Sequence, residues 1–306
     1  MKETNKGISL AVLCSWLGIT RQAYYQHKRY IKRVLTEESL ILEQVLDIRS
    51  KHPRMGGKKL FSKVKPFLQG HGIKLGRDGF LALLNKHNLL VRKSRRRYRT
   101  TYSDHWLRKY PNLIKGITPL GPNHILVCDI TYWKTRKKLF YISFITDAYS
   151  KMILGSNIAE TLEALESVKA LRKALRRIPH DVSGMIHHSD RGVQYCSSKY
   201  VKLLLSKGIA ISMTESGDPL DNAIAERING IIKGEYLFDY DIDSLAEAKR
   251  VLSSVVKLYN EERPHLSLNN MHPMQVHMGE LDREIKRLWK NYYRKEKDTK
   301  QDVEIF

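Results

Sequence analysis

His124-Ile125-Leu126-Val127-Cys128-Asp129-Ile130-Thr131-Tyr132 is a run of apolar and β-branched residues with a single aspartate set into it. Such a run reads as a β-strand. An aspartate inside it is costly to bury unless something offsets its charge. Residues 139–146 (LFYISFIT) give a second strand, close enough to the first to form a hairpin across the basic turn at 134–138. Residues 152–158 read as a third. A helix over 161–177, a strand at 184–187, a helix around 198–206 and a short strand at 209–212 follow, and the pattern beyond is helical. Three consecutive strands followed by alternating helix and strand predict an α/β fold built on a mixed sheet.

The N-terminal side of this segment is different in kind. The 306 residues carry a formal net charge of +22. Residues 1–110 hold 25 Lys/Arg against 7 Asp/Glu, whereas residues 111–306 hold 29 against 25. A strongly basic front on a nearly balanced back reads as a polyanion-binding module followed by a catalytic or assembly domain. Nucleic acid is favoured over a membrane surface, because no basic stretch carries the bulky apolar face of an interfacial helix. No apolar run is long enough to span a bilayer, and the first residues lack a signal-peptide pattern. Cys14, Cys128 and Cys196 lie far apart with no Cys-x-x-Cys pair, which points to a reducing cytoplasm rather than to disulfides or a zinc cluster.

Within the basic front, Ile8, Val12, Leu13, Trp16 and Leu17 have helical spacing. Gly18 breaks that helix, and Thr20 is placed to cap a second one through Ala23, Tyr24 and Tyr25. This is the layout of a helix-turn-helix, and equally of any small helical hairpin. Thr36-Glu37-Glu38-Ser39 reads as the cap of a further helix, with others over 58–68 and 77–87 after a turn at Pro53, Gly56 and Gly57. The expected organisation is a helix-turn-helix-like segment at 1–35, a basic helical DNA-binding domain at 36–99, a linker at 100–122, a core at 123–280 and a basic helical tail at 281–306. Arg92, Lys93, Arg95, Arg96, Arg97 and Arg99 form a run that repels itself unless a counter-charge is supplied. It reads as a DNA-tracking arm or as a solvated linker.

Three acidic residues then stand out. Asp129 lies within the first strand, Asp190 directly after the strand at 184–187, and Glu226 in a stretch with apolar helical spacing at Ile224, Ile228, Ile231 and Ile232. From a strand interior, a strand end and a helix they can converge at one sheet edge. Such a cluster is stable only with a cation between its members. An oxygen-only set without cysteine selects hard ions, Mg²⁺ or Mn²⁺, and two such ions serve in-line displacement at phosphorus. Taken singly, each residue has an ordinary explanation. A strand aspartate is more often salt-bridged or at an edge, Asp147 reads much as Asp129 does, and a helical glutamate usually faces solvent.

The setting is more specific than the residues. Thirty-five residues separate Asp190 from Glu226. The stretches Cys128-Asp129-Ile130-Thr131-Tyr132, His188-Ser189-Asp190-Arg191-Gly192-Val193-Gln194-Tyr195, Asp221-Asn222-Ala223 through Glu226-Arg227, Lys233-Gly234-Glu235 and Tyr259-Asn260-Glu261-Glu262-Arg263-Pro264-His265 occur in that order. With Leu268 and Pro273 beyond, they resemble the insertion-sequence transposases encoded in two overlapping frames, in particular the second-frame product. LGITRQAYY and the segment around residues 53–57 fit the helical front of such proteins, although Met55-Gly56 stands where the family usually has a tyrosine-glycine pair.

The resemblance implies a ribonuclease H-like core of the retroviral integrase type, with Asp129, Asp190 and Glu226 as catalytic and metal-ligating residues. Asp129 would bridge two Mg²⁺ or Mn²⁺ ions, with Asp190 on one and Glu226 on the other. It implies DNA as substrate, both element ends and target, with 3′-end cleavage and strand transfer, assembly as a homo-oligomer on DNA, and an upstream-frame product or fusion as a further partner. Lys233, two turns beyond Glu226, is the expected phosphate contact. Asn222, one turn before Glu226, is expected either to orient DNA or a metal-bound water, or to cap the helix together with Asp221. His187 and His188 read as strand-end residues near DNA, and Arg263-Pro264-His265 as structural. Two rival readings stay open: a ribonuclease H-like nuclease without strand transfer, and a DNA-binding transposition accessory with an inactive core.

Overall fold

The computed structural model describes residues 9–91, 105–179, 181–215 and 222–279. The chain divides into two units, one of residues 1–51 and 56–91, the other of residues 52–55 and 92–306. The basic run at Arg92–Arg99 and the tail at 281–306 lie outside the described residues.

The first unit is helical. α1 spans Leu10–Trp16, α2 Arg21–Lys51, α3 Gly57–Gly70 and α4 Arg77–Lys86. Ser9 caps α1, and the Thr20 hydroxyl accepts a bond from the Ala23 amide at the start of α2. Gly18 has φ +67, a left-handed conformation that admits the sharp turn between the two helices. The division expected at residue 35 is absent, because α2 runs unbroken for 31 residues. Thr36 and Ser39 do not cap a new helix. Their hydroxyls bond back to the carbonyls of Lys32 and Leu35, four residues earlier, which leaves the backbone ladder intact. The hydrophobic centre of this unit joins Ile41, Val45 and Ile48 of α2 with Leu60, Val64 and Leu68 of α3 and Phe80 and Leu84 of α4.

The second unit is the expected α/β fold. β1 (Ile125–Lys134), β2 (Leu139–Asp147) and β3 (Ile153–Ala159) form an antiparallel meander. β4 (Ile186–Ser189) and β5 (Ala210–Met213) add in parallel on the other side of β1, giving the order β3-β2-β1-β4-β5. α5 (Ala164–Arg177), α6 (Val193–Cys196) and α7 (Ser198–Leu205) cover one face. α8 (Ala223–Ile231), a π-helical turn at Ile232–Tyr236 and α9 (Leu245–Glu261) cover the other, and α10 (Pro273–His277) follows. This mixed five-stranded sheet between helical layers is the ribonuclease H-like architecture.

Strand periodicity decides which way β1 points its side chains. Leu126 and Cys128 enter the core beneath α5 and α7. Ile125, Val127 and Asp129 share the opposite parity, toward α8. α5 packs closely enough on β3 that a Cβ at Gly155 would collide with the backbone of Ala170 and Ala174.

Two expectations change here. Residues 105–122 are not a free linker. The Met213 amide donates to the Pro111 carbonyl at 3.2 Å and the Leu113 amide to the Ser212 hydroxyl at 2.8 Å, so the segment covers the open edge of β5. His187 and His188 are not exposed at a strand end. β4 lies between β1 and β5, and both rings are fully buried. His187 Nε2 lies 2.9 Å from Cys128 Sγ and 2.8 Å from the Tyr200 hydroxyl, and burial lowers its pKa to about 3, which keeps the ring neutral.

Candidate active site

Asp129 stands on the α8 face of β1 and receives a hydrogen bond from Asn229 Nδ2, 2.7 Å from its Oδ2. Its pKa is raised to about 8, first by burial, then by the charges of Asp190 and Glu226, against the opposing effect of the Asn229 bond. Asp190 follows β4, which runs parallel to β1 and directly beside it, so the two aspartates emerge at neighbouring positions. The Gly192 amide donates to Asp190 Oδ1 at 3.1 Å, and a Cβ at Gly192 would stand about as close to that same oxygen. The glycine therefore lets the backbone close on the carboxylate. Glu226 lies in the first turn of α8, where the helix N-terminus favours negative charge. Its pKa is raised by partial burial and by Asp190. The three carboxylates drawn from the sequence are thus brought close enough to interact: Asp190 raises the proton affinity of both Asp129 and Glu226, and Glu226 raises that of Asp129.

Asp147, the other aspartate of similar sequence setting, is built differently. It accepts hydrogen bonds from the Asn123 amide at 2.7 Å and from both the Ser150 amide and hydroxyl at 2.6 Å. That is a turn-stabilising carboxylate whose acceptor capacity is used by its own loop and by the backbone just before β1.

Lys233 comes from the π-helical turn and holds its ammonium 4.6 Å from the centre of the Tyr132 ring, a cation–π contact next to Asp129 on β1. Burial lowers its pKa and the Asp129 charge opposes that. π-turns recur at functional sites. Here the turn sets Lys233 beside Tyr132 and, two residues on, aims Glu235 at Arg263.

Asn222 occupies the N-cap position of α8 without making a side-chain cap. It is buried, and its Nδ2 donates to the Cys128 carbonyl at 2.9 Å. Its geometry is that of a tether holding the start of α8 against β1 beside Asp129, in place of the helix cap that was one of the readings expected for it. Asn229 was not singled out in the sequence, yet it makes the direct bond to Asp129. The available signal was its position three residues after Glu226, on the same helical face.

The donor set fits a divalent cation. All three side chains offer carboxylate oxygens, and the pKa values of Asp129 and Glu226 are raised, first by burial and then by neighbouring carboxylates. Among the described residues, no three His, Cys, Asp or Glu side chains already stand in single-ion chelating geometry.

Two models described as the integrase core domain match residues 119–219 and 207–273. A protein of insertion element IS600 from Shigella sonnei is 35% identical over 268 residues, 85% of this chain and 96% of that one. A putative transposase for IS986/IS6110 from Mycobacterium tuberculosis is 30% identical over 227 residues, 72% of this chain and 81% of that one. The chain belongs to the insertion-sequence transposases with an integrase-like catalytic core. A solved structure of the HTLV-2 integrase catalytic core domain in complex with magnesium is also similar, at 21% identity and a TM-score of 0.40, over 52% of this chain and 98% of that one.

Proposed function

We propose that the chain carries out metal-dependent 3′-end cleavage and strand transfer of an insertion sequence, with Asp129, Asp190 and Glu226 as its catalytic carboxylates. The observation that carries this reading is the state of Asp129: part-buried, held by one amide and crowded by two other carboxylates. A site that places like charges together in a folded chain is built for a cation and for the polyanion the cation recruits.

Asp129 and Asp190 would hold one Mg²⁺ or Mn²⁺ and Asp129 and Glu226 a second. When bound, such ions supply charge stabilisation at the attacking and leaving oxygens of a phosphodiester. The chain's own residues do the rest. Asn229 fixes the rotamer of Asp129, the Gly192 amide fixes Asp190, and α8 carries Glu226. Lys233, steadied over Tyr132, offers its ammonium to a phosphate beside the carboxylates. Water, and then a DNA 3′-hydroxyl, serves as nucleophile, so catalysis is positioning and charge stabilisation with no covalent protein–DNA link. The basic front, including Arg92, Lys93, Arg95, Arg96, Arg97 and Arg99, tracks the DNA backbone. Homo-oligomers on DNA and an upstream-frame partner or fusion complete the reading, which belongs with chromosomal DNA in the bacterial cytoplasm. No helix among the described residues is long and apolar enough to cross a membrane.

The test is product analysis with element-end DNA and Mg²⁺, using the chain alone and fused to the upstream-frame product. Nicked 3′ ends that join to target DNA support the reading. Nicking without joining supports the nuclease, and metal-independent binding with no cleavage supports the accessory. DNA affinity is expected to fall steeply with salt, and a flat salt dependence would remove the basic run from the interface.

Asn229 is a positioning residue in this scheme. Asn229→Ala is expected to weaken activation by Mg²⁺ by about 10–100-fold, as loss of an outer partner of a metal ligand does. Activity should recover in part at high Mg²⁺. A variant with an unchanged Mg²⁺ titration but reduced activity at saturation would remove Asn229 from that role.

A further inference from the structure

α2 is about 46 Å long at 1.5 Å per residue. It buries Ile41, Val45 and Ile48, all in its last third. On another face, Tyr24, Lys28, Ile31, Leu35, Leu42 and Leu46 follow one another at spacings of four, three, four, seven and four, a stripe that stays aligned along the helix. Tyr24 and Leu42 of this stripe are half-buried, and its other apolar residues are exposed. Ile31 is 43% exposed, Leu35 55% and Leu46 57%. Around Ile31 and Leu35 the surface forms a shallow groove with Lys28, Lys32, Thr36 and Ser39.

The charges along α2 are divided by position. Residues 21–33 hold five Lys/Arg and no acid, whereas residues 34–51 hold Glu37, Glu38, Glu43 and Asp47 with only Arg49 and Lys51. Glu37 pairs within the helix with Arg33, and Glu38 pairs with Lys86. Among the described residues Glu43 and Asp47 have no ion pair.

We infer that this stripe docks against the same stripe of a second copy of the chain, as an antiparallel α2–α2 pair centred near Leu35. Parallel pairing would set the basic half of one helix against the basic half of the other. Antiparallel pairing sets residues 21–33 of one copy beside residues 37–49 of its partner, so that each basic half meets an acidic half. The register that centres the stripe places Leu35 against its own counterpart and Tyr24 opposite Leu46, with Lys28 beside Glu43. The arrangement is isologous and closes on itself. A duplex phosphate backbone does not account for the stripe, because its centre is apolar and acidic residues flank it over the C-terminal half of α2.

The experiment uses the full chain with Tyr24→Cys, with Leu46→Cys, and an equimolar mixture of the two under mild oxidation. Cys14, Cys128 and Cys196 are buried, which keeps background linkage low. A disulfide-linked dimer is expected in the mixture and not from either variant alone. Adding Leu35→Asp to both chains, an exposed position that leaves helical content unchanged, should cut the linked product at least tenfold. Linkage of Tyr24→Cys or Leu46→Cys with itself would mean parallel pairing and overturns the inference, as does an absence of linkage in the mixture. Weaker DNA binding by Leu35→Asp without linkage in the mixture would assign the stripe to DNA instead. The readout is covalent linkage and not cleavage, so its failure leaves the proposed function standing.

Discussion

Asp129→Asn is expected to abolish metal-dependent cleavage and, in the metal-free protein, to make the chain more stable. Asparagine keeps the size of the side chain and an oxygen for the Asn229 amide, but removes the carboxylate charge. Loss of a charge-stabilising group at the reacting centre lowers the rate by on the order of 10³-fold, and Asp190→Asn and Glu226→Gln should do the same. The stability effect follows from the pKa of about 8 at Asp129. An unfolded aspartate loses its proton near pH 4. Between about pH 4 and about pH 8 the folded chain therefore holds more protons than the unfolded one, and stability falls as pH rises. At 1.36 kcal/mol per pH unit the penalty reaches a few kcal/mol by neutral pH. Unfolding in chelator should show Asp129→Asn ahead of the native chain, by more at pH 8 than at pH 5. Mg²⁺ should raise the midpoint of the native chain and leave that of the variant nearly unmoved. Cleavage within tenfold of the native rate, or a variant less stable at pH 8 in chelator, would remove Asp129 from the site.

What could be read in the sequence divides along physical lines. β1, β2 and the parallel strands were legible because buried strands need apolar and β-branched residues, a local requirement. Asp129 was legible because it violates that requirement. Gly18 and Thr20 were legible for the same reason, since turns and caps are satisfied by neighbours in sequence. The readings that changed all depended on partners far along the chain. Thr36 and Ser39 carry the side chains of a helix cap, and only the continuity of α2 shows them bonding back within a helix. His187 and His188 look like polar strand-end residues until β5 closes the open side of β4. Asn229 looks like any helical asparagine until α8 is laid across β1.

The same division explains why two motifs read separately in the sequence are one structural unit. Lys233-Gly234-Glu235 and Arg263-Pro264-His265 lie far apart in sequence, but Arg263 Nε and Nη2 each donate to a Glu235 carboxylate oxygen at 2.8 Å. Arg263 is fully buried, with its guanidinium 5.8 Å from the centre of the Tyr259 ring. The pair joins the end of α9 to the turn that carries Lys233, and so connects the far helix of the core to the edge of the candidate site.

Arg263→Ala is therefore expected to be among the most damaging changes in the core. It removes one partner of a buried, bidentate pair and leaves the Glu235 carboxylate without its principal counter-charge, which costs about 3–5 kcal/mol. At roughly 2–4 °C per kcal/mol for a domain of this size, the unfolding midpoint should drop by about 10 °C. Arg263→Lys keeps the charge but not the planar fork that meets both oxygens, and should fall between the two. Replacing both partners with apolar residues, Arg263→Met with Glu235→Leu, should recover much of the loss, because neither charge is then stranded. Thermal unfolding of the four chains gives the ordering directly. Arg263→Ala close to the native midpoint would mean that the pair is solvated in solution. A double variant no better than the single would mean that Glu235 is needed for its other contacts as much as for Arg263. Cleavage measured well below the midpoint of each variant then separates the two roles of the turn: if the pair also fixes Lys233, activity falls in the folded single variant, whereas a purely structural pair leaves it near the native rate.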